Sequence, residues 1–185
     1  MGKLVIISSP SGGGKNAIIR RLVELLPEST RFVTTTTRPP RPQEVEGKDY
    51  FFVTPENFSQ MIQNDKLIEY NLYAGQYYGS EKNKLEILLD TYNFVFAALD
   101  VHGRESLKIK NIPHISIFLL PESLEALEER IKIRGGVGET ELQQRMQTAR
   151  EEMKEANKYD MQVVNPEGNM EVAAQEIIQF LQNQK

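Results

Sequence analysis

A glycine-rich loop near the amino terminus contains the residues best suited to bind phosphate. Three glycines at positions 12–14 permit a tight turn, and Lys15 follows them directly. In such a loop, main-chain N–H groups at the start of a helix surround an anion while the lysine neutralises its outer oxygens. The usual pattern is G-x-x-x-x-G-K-S/T, and here Ser9 and Asn16 replace its first glycine and its hydroxyl residue. A glycine-rich turn with a surface lysine is the alternative, but the position between a strand and a helix favours phosphate binding.

Two arginines, Arg38 and Arg41, lie three residues apart in a proline-rich segment. Pro39 and Pro40 disfavour a helix, so two planar guanidinium groups on stiff backbone can converge on one phosphate. The threonines at 34–37 add hydroxyl donors. An exposed polar loop, or a proline-rich ligand of a partner, stays open as the alternative.

A carboxylate stands inside an apolar run at Glu69, and Tyr-Tyr-Gly-Ser follows at 77–80. A buried carboxylate needs hydrogen-bond donors, and a purine with N–H groups on its pairing edge offers two. An ion pair with a neighbouring basic residue is the structural alternative. Asp100 ends a later apolar strand, at the edge where parallel sheets bind ligands.

Three further arginines flank a glycine-rich break: Arg130 and Arg134 are one helical turn apart, and Arg145 lies beyond the break. Arginines on a closing lid would stabilise the charge that spreads over a phosphoryl group during transfer. A solvated charged helix face is the alternative.

The elements that must position these residues alternate along the chain. Apolar runs predict strands at 4–7, 94–99, 115–120 and 161–164. Helices are predicted at 17–26, 104–110, 124–133, 139–158 and 172–181. Alternating strands and helices favour a parallel sheet with right-handed crossovers. The stretch between Phe32 and Gly79 has a different pattern, with strand-like 50–53 and 67–70 around a helix that opens at Thr54, and it predicts a small α+β insertion.

Composition narrows the functional classes. The 185 residues include 22 Lys and Arg against 26 Asp and Glu, for a net charge of −4, so general binding to nucleic acid or to an anionic membrane is not expected. The absence of cysteine and the presence of two histidines argue against thiolate or histidine metal sites and cysteine nucleophiles. No signal peptide or membrane span is predicted, and the expected location is the cytoplasm.

Taken together, these groups resemble the guanylate kinase family from about residue 3 to residue 183. The most distinctive motifs are Thr-Thr-Arg-Pro-Pro-Arg-Pro at 36–42, Glu-Val-Glu-Gly-Lys-Asp-Tyr-Phe-Phe-Val at 44–53, Ile-Glu-Tyr at 68–70 and Tyr-Tyr-Gly-Ser at 77–80. The resemblance implies the reaction ATP + GMP to ADP + GDP, with Mg²⁺ carried by ATP. It also implies an α/β, three-layer P-loop fold with a five-stranded, mainly parallel core sheet.

The resemblance further implies which parts of the chain form the core, the GMP-binding insertion and the lid. Residues 1–33, 84–125 and 159–185 would form the core, residues 34–83 the GMP-binding insertion, and residues 126–158 a short lid with flanking helices. The implied GMP-binding residues are Thr34, Arg38, Arg41, Tyr50, Glu69, Tyr78, Ser80 and Asp100. The implied ATP-binding residues are Ser11, Gly12, Gly13, Gly14, Lys15, Asn16, Ala17, Arg130 and Asn165. Catalytic roles fall to Lys15, Arg38, Arg134 and Arg145, and a metal contact falls to Asn16.

Four positions depart from the family pattern. Ser9 stands where Gly is usual, Asn16 and Ala17 each stand where Ser or Thr is usual, and Ala98 stands where Asp is usual. Three of these positions touch the phosphate or Mg²⁺ side, which leaves a reduced turnover open. The alternative function is a weak or inactive guanylate-kinase-like domain that binds GMP or a phosphorylated or acidic ligand. Retention of Lys15 and the lid arginines favours the enzyme. The sequence does not fix an oligomeric state.

Overall fold

The computed structural model describes residues 1–73, 75–133 and 138–184, which form nine strands in two sheets and seven α-helices. The strands are β1 Lys3–Ser8, β2 Ser29–Phe32, β3 Thr35–Thr36, β4 Phe51–Phe52, β5 Leu67–Tyr73, β6 Gln76–Glu81, β7 Phe94–Ala98, β8 Ile115–Pro121 and β9 Met161–Asn165. The helices are α1 Lys15–Leu25, α2 Pro55–Gln63, α3 Lys82–Thr91, α4 Val101–Ile109, α5 Leu124–Ile133, α6 Glu139–Lys154 and α7 Met170–Gln182.

The larger sheet has five strands in the order β2-β7-β1-β8-β9. The pairs β2–β7 and β8–β9 are parallel, with Ser29 opposite Phe94 and Ile117 opposite Met161. Central strands with both faces covered become continuous apolar runs, and the four residues from Leu4 to Ile7 are all buried. The predicted α/β fold with a five-stranded core sheet is therefore confirmed.

The chain divides into two compact units. The first contains Met1–Val5 and Glu28–His114, and the second contains Ile6–Pro27 and Ile115–Lys185. Strand β1 changes unit between Val5 and Ile6. The division into core, insertion and lid is a functional one, and it stays a prediction.

The first unit contains the smaller sheet, in the order β4-β3-β6-β5. Helix α2 begins after Thr54, whose hydroxyl accepts a hydrogen bond from Asn57 N at 3.2 Å, with Pro55 in the first turn. Its Phe58 is fully buried and stacks on Tyr77 with ring centroids 5.3 Å apart. This sheet with its helix is the α+β element that the sequence predicts.

The second unit packs helix α5 against α6 through a cluster of buried apolar side chains. The cluster consists of Leu127, Ile131, Leu142, Met146 and Ala149. Helix α6 ends at Lys154, and the 3₁₀ turn Ala156–Lys158 follows, so the predicted helix at 139–158 is too long.

Membrane insertion of a helix has no support in the part of the chain that the structure describes, because none of its helices combines sufficient length with apolar character.

Candidate functional site

The glycine-rich loop lies between β1 and α1, as the sequence predicts. Gly12 and Gly14 have φ angles of 88° and 93°, in the left-handed region where other residues are strained. Gly14 caps α1, and its carbonyl accepts hydrogen bonds from Ala17 N and Ile18 N at 3.0 Å each. The helix dipole therefore favours an anion at this end of α1.

The Lys15 ammonium is held inside the loop by Ser9. Lys15 Nζ donates to Ser9 O at 2.9 Å and lies 3.4 Å from Ser9 Oγ. Ser9 is buried, and its hydroxyl donates to Pro10 O at 2.9 Å. A Cβ on Gly13 would lie 2.6 Å from the Ser9 Cβ and Oγ atoms, so this loop accommodates Ser9 because residue 13 is glycine.

Asn165, at the end of β9, and Arg130, on α5, contact the same loop region. Asn165 Nδ2 donates to Gly13 O at 3.1 Å, and Arg130 Nη2 donates to Asn165 O at 3.3 Å. A Cβ on Gly12 would lie 3.2 Å from Ile131 Cγ1, which shows how closely α5 packs on the loop. The buried Asn165 Oδ1 has no hydrogen-bond partner within the described ranges, so it can still accept a hydrogen bond.

Two further arginines belong to the predicted lid. Arg145 lies on α6 and forms an ion pair with Glu141 at 2.6 Å, one helical turn away. Arg134 lies outside the described residues. Their predicted roles stay predictions.

In the first unit, Arg38 lies in a polar cluster with two tyrosines. The Arg38 Cζ atom is 5.4 Å from the Tyr50 ring centroid, and the Tyr50 and Tyr78 rings meet edge to face at 5.9 Å. Burial is the largest single influence and opposes the charge of Arg38, but the hydrogen bond and charge of Glu44, together with Tyr78, outweigh it and raise the pKa of the guanidinium. Burial, together with the neighbouring Tyr78, also raises the pKa of Tyr50. The cluster thus keeps the Arg38 cation and the Tyr50 hydroxyl protonated near neutral pH.

Thr34 and Arg41 flank this cluster in the chain but have different environments. Thr34 is buried, and its carbonyl accepts a hydrogen bond from Phe51 N at 2.9 Å. Arg41 is exposed, and its main-chain N–H donates to Glu44 Oε2 at 2.8 Å. Convergence of Arg38 and Arg41 on one anion stays a prediction.

Glu69 is buried on β5, directly opposite Ser80 on β6. Ser80 Oγ donates to Glu69 Oε1 at 2.5 Å. Glu69 forms no ion pair with any residue in the described parts of the chain, so the structural ion pair considered from the sequence is wrong there. Burial raises the pKa of the Glu69 carboxyl to about 7, although the Ser80 hydrogen bond lowers it and Asp100 adds to the rise.

Asp100 lies near this carboxylate at the start of α4. Its Oδ1 accepts from Gly103 N at 2.7 Å, and its Oδ2 accepts from Asn71 Nδ2 at 2.8 Å. A Cβ on Gly103 would lie 3.2 Å from Glu69 Oε2, so glycine at residue 103 allows α4 to approach that carboxylate closely. Asp100 caps α4, which therefore begins at Val101 and not at the predicted residue 104.

The sequence interpretation missed the roles of Glu44 and Asn71. Glu44 stands three residues after Arg41, the spacing of a turn, and Asn71 stands two residues after Glu69 on the same strand face. The sequence spacing of both residues could have indicated these roles, but neither residue is chemically distinctive without its partner.

The described residues contain no cluster of three His, Cys, Asp or Glu side chains that could hold a metal ion.

A glycine loop that joins a strand to a helix, with its lysine directed into the loop, on a five-stranded α/β sheet, defines the chain as a P-loop nucleotide-binding protein. The family model described as guanylate kinase matches residues 1–184. The chain is 36% identical over 179 residues to a guanylate kinase of Nostoc sp., covering 97% of this chain and 90% of that one. It is 37% identical over 187 residues to a guanylate kinase of Idiomarina loihiensis, covering 100% and 89%.

A solved structure agrees with these matches. The crystal structure of guanylate kinase from Anaplasma phagocytophilum superposes with a TM-score of 0.80 at 28% identity, covering 99% of this chain and 86% of that one. The chain belongs to the guanylate kinase family, whose function is phosphoryl transfer from ATP to GMP. It is a nucleoside monophosphate kinase, of a family that binds ATP and GMP and normally uses Mg²⁺ with ATP.

Proposed function

We propose that the residues of this chain carry out the family reaction by holding GMP along one face of β6 and the ATP phosphates in the loop before α1. The observation that carries this proposal is the spacing on β6. Tyr78 and Ser80 are two residues apart, so they share one face of the strand at about 7 Å. Tyr78 belongs to the Arg38 cluster and Ser80 contacts Glu69. One strand face thus joins a cationic end to a buried acidic end.

The cationic end would bind the GMP phosphate. Arg38 would supply a guanidinium, and Tyr50 and Tyr78 would supply hydroxyl donors. Arg41 and Thr34 would complete the phosphate site as the family resemblance implies.

The acidic end would select guanine. Ionised Glu69 would accept hydrogen bonds from guanine N1–H and the exocyclic amine, with Ser80 and Asp100 as further contacts. Adenine presents an acceptor at N1, which would leave a buried carboxylate unpaired at a cost of roughly 1–3 kcal/mol. The support is the buried Glu69 carboxylate, which lies opposite Ser80 and accepts a hydrogen bond from its hydroxyl.

The second unit would bind ATP. The main-chain N–H groups from Gly12 to Lys15 would surround the phosphates, with Ser11, Asn16 and Ala17 at their border. The Asn165 Oδ1 atom would accept from the adenine amine, and its lack of a partner in the described structure supports this contact. Arg130 is held at Asn165 O and is suited to the same nucleotide.

The transfer step itself needs alignment and charge neutralisation more than a base. The phosphate oxygen of GMP is already anionic at neutral pH, so no side chain has to remove a proton. Lys15 and Arg38 would neutralise the donor and acceptor phosphates. Arg134 and Arg145 would bridge them, by the family resemblance.

Asn16 would be the one direct protein contact to Mg²⁺, through its amide oxygen. The ion supplies neutralisation of the nucleotide phosphates when it is bound. We further propose that residues 34–83 act as the GMP-binding part, that residues 126–158 act as a lid, and that the protein works in the cytoplasm.

A coupled assay of ADP formation from MgATP tests this function. Among the acceptors GMP, dGMP, AMP and UMP, GMP should support the fastest turnover. Lys15→Ala and Arg38→Ala should each reduce GMP-dependent turnover by about a hundredfold or more. Arg20→Ala and Lys132→Ala, which change exposed cations on α1 and α5, should leave the rate within about twofold.

The result that contradicts the proposal is tight GMP binding with no turnover by the unmodified chain. That result favours the alternative of a guanylate-kinase-like binding domain. Turnover that is unaffected by Lys15→Ala would instead contradict the role proposed for Lys15.

A further inference from the structure

The segment after Arg38 contains a carboxylate that contacts both arginines of the proposed phosphate site. Arg38 Nη2 donates to Glu44 Oε1 at 2.7 Å and to Glu44 Oε2 at 2.8 Å. The Arg41 main-chain N–H donates to the same Oε2 at 2.8 Å, and Glu44 N returns a bond to Arg41 O at 3.0 Å. One side chain therefore closes the 41–44 turn and joins it to the guanidinium.

The Arg38–Glu44 pair is shielded from solvent. The side chains of Arg38 and Glu44 are only 15% and 16% exposed. A charge-assisted hydrogen bond in such a place is stronger than a surface ion pair, and it restricts a long, flexible side chain. Arg38 Nη1 is also held, by Pro39 O at 2.7 Å, so the plane of the guanidinium is fixed from two sides.

The contact geometry separates two possible roles for this carboxylate. A carboxylate that merely imitated phosphate would grip the guanidinium through two of its nitrogens, as an incoming phosphate does. Both Glu44 oxygens instead use the single Nη2 atom, and one of them is shared with the Arg41 main chain. This arrangement orients the arginine and the turn together.

We propose that Glu44 is a positioning residue for the GMP phosphate, which holds the Arg38 guanidinium and the Arg41 main chain in one fixed relation. The inference rests on the proposed function, because it takes Arg38 to be the phosphate ligand. Glu44 touches neither the base nor the reacting atoms. Its removal therefore affects the phosphate contribution to binding and leaves the guanosine contribution unchanged.

The test uses Glu44→Gln, which keeps the shape but replaces one acceptor oxygen by an amide donor. The amide at the Oε1 position loses one contact to Arg38, and the amide at the Oε2 position loses the contacts to both Arg38 and the Arg41 N–H, so at least one of the three contacts is lost. The KM for GMP should rise about tenfold, because at least one charge-assisted hydrogen bond is lost. Guanosine, measured as a competitive inhibitor against GMP, should keep its inhibition constant within about twofold. The KM for ATP should also change by no more than about twofold.

Glu46→Gln is the matched control. Glu46 lies in the same loop and also accepts a main-chain N–H, from Phe52 at 3.0 Å, and no arginine contact is described for it. A merely structural role of the loop carboxylates would make the two variants behave alike. We expect Glu46→Gln to leave the ratio of GMP to guanosine affinity unchanged.

Three outcomes overturn the inference: an unchanged or lower KM for GMP in Glu44→Gln, an equal loss of guanosine affinity, or the same effect in Glu46→Gln. Arg38→Ala, assayed in parallel, separates this failure from a failure of the proposed function. If Arg38→Ala also leaves GMP affinity intact, the phosphate site itself is misassigned. If only Arg38→Ala weakens GMP, the phosphate site holds and Glu44 has no part in it.

Discussion

The Ser80 hydroxyl donates a 2.5 Å hydrogen bond to Glu69, a carboxylate that has only 2% of its surface exposed. A hydroxyl stabilises a buried carboxylate less than a cation would, and the fixed Asp100 nearby disfavours a second negative charge. Lys110 is the cation that acts on Glu69, and its ammonium is held by Ile68 O at 2.6 Å. Burial consequently raises the pKa of Glu69 to about 7, near neutral pH.

Guanosine binding should therefore depend on pH. Guanine N–H donors need the ionised carboxylate, so the guanosine dissociation constant should fall about tenfold per pH unit up to pH 7 and level off above it. Guanosine is the correct probe because it lacks a titrating phosphate. Calorimetric titrations between pH 5.5 and 8 measure this dependence. Ser80→Ala should move the midpoint to higher pH, and a flat profile in the unmodified protein contradicts the prediction.

The same carboxylate should reduce stability at high pH. Between its usual value of 4.5 and the folded value of about 7, the folded chain holds a proton that the unfolded chain has released, so the free energy of unfolding falls as pH rises. Glu69→Gln removes this effect. The variant should be more stable than the unmodified protein at pH 8, by up to about 3 kcal/mol, and equally stable at pH 4.5.

Urea denaturation at the two pH values measures this difference. Glu86→Gln, which changes an exposed glutamate on α3, serves as the control and should show no gain at pH 8. A Glu69→Gln variant that is less stable at pH 8 contradicts the account.

The loop before α1 offers a steric prediction. Gly13→Ala would place a Cβ 2.6 Å from the Cβ and Oγ atoms of Ser9, and it should reduce the free energy of unfolding by about 1–3 kcal/mol. Ser9→Gly removes those atoms, after which the nearest atom is Pro10 O at 3.0 Å. The double variant should therefore recover part of the loss, with a coupling energy of about 1 kcal/mol in a denaturation cycle. If the two losses of unfolding free energy are additive, Ser9 does not restrict the size of the side chain at residue 13.

Asn16 provides a prediction about Mg²⁺. A serine hydroxyl is shorter than the asparagine amide and suits the strict octahedral geometry of Mg²⁺ better. Asn16→Ser should raise kcat at saturating ATP and GMP and lower the Mg²⁺ concentration that half-saturates the rate. An unchanged or lower kcat would show that Asn16 is not a defect in this loop.

Strong local patterns made much of the fold predictable. The continuous apolar runs of β1 and β8, and the periodic α5, lie where the sequence indicates, because covered strands and amphipathic helices leave distinct patterns. Strand β2, Ser29–Phe32, was missed because three of its four residues are polar. Strand β3 has two residues, which is too short for any pattern, and exists through pairing with β4 and β6.

The residues of the candidate site were predictable where their type is unusual for its surroundings. Glu69 inside an apolar run and the glycines before Lys15 are examples. Glu44 and Asn71 were not, because common polar residues acquire a role only through a partner that the fold supplies. The start of α4 was missed for the same reason: Asp100 was interpreted as a ligand of guanine, and its capping bond to Gly103 N is a property of the folded chain.

The central claim is that GMP lies along β6, with its phosphate at Arg38 and its base at Glu69. Calorimetric titration of GMP and guanosine into Arg38→Ala and Glu69→Gln tests this orientation most directly. Arg38→Ala should weaken GMP by about tenfold or more and leave guanosine unchanged, whereas Glu69→Gln should weaken both ligands by a similar factor. Loss of guanosine binding in Arg38→Ala, or intact guanosine binding in Glu69→Gln, would contradict the account.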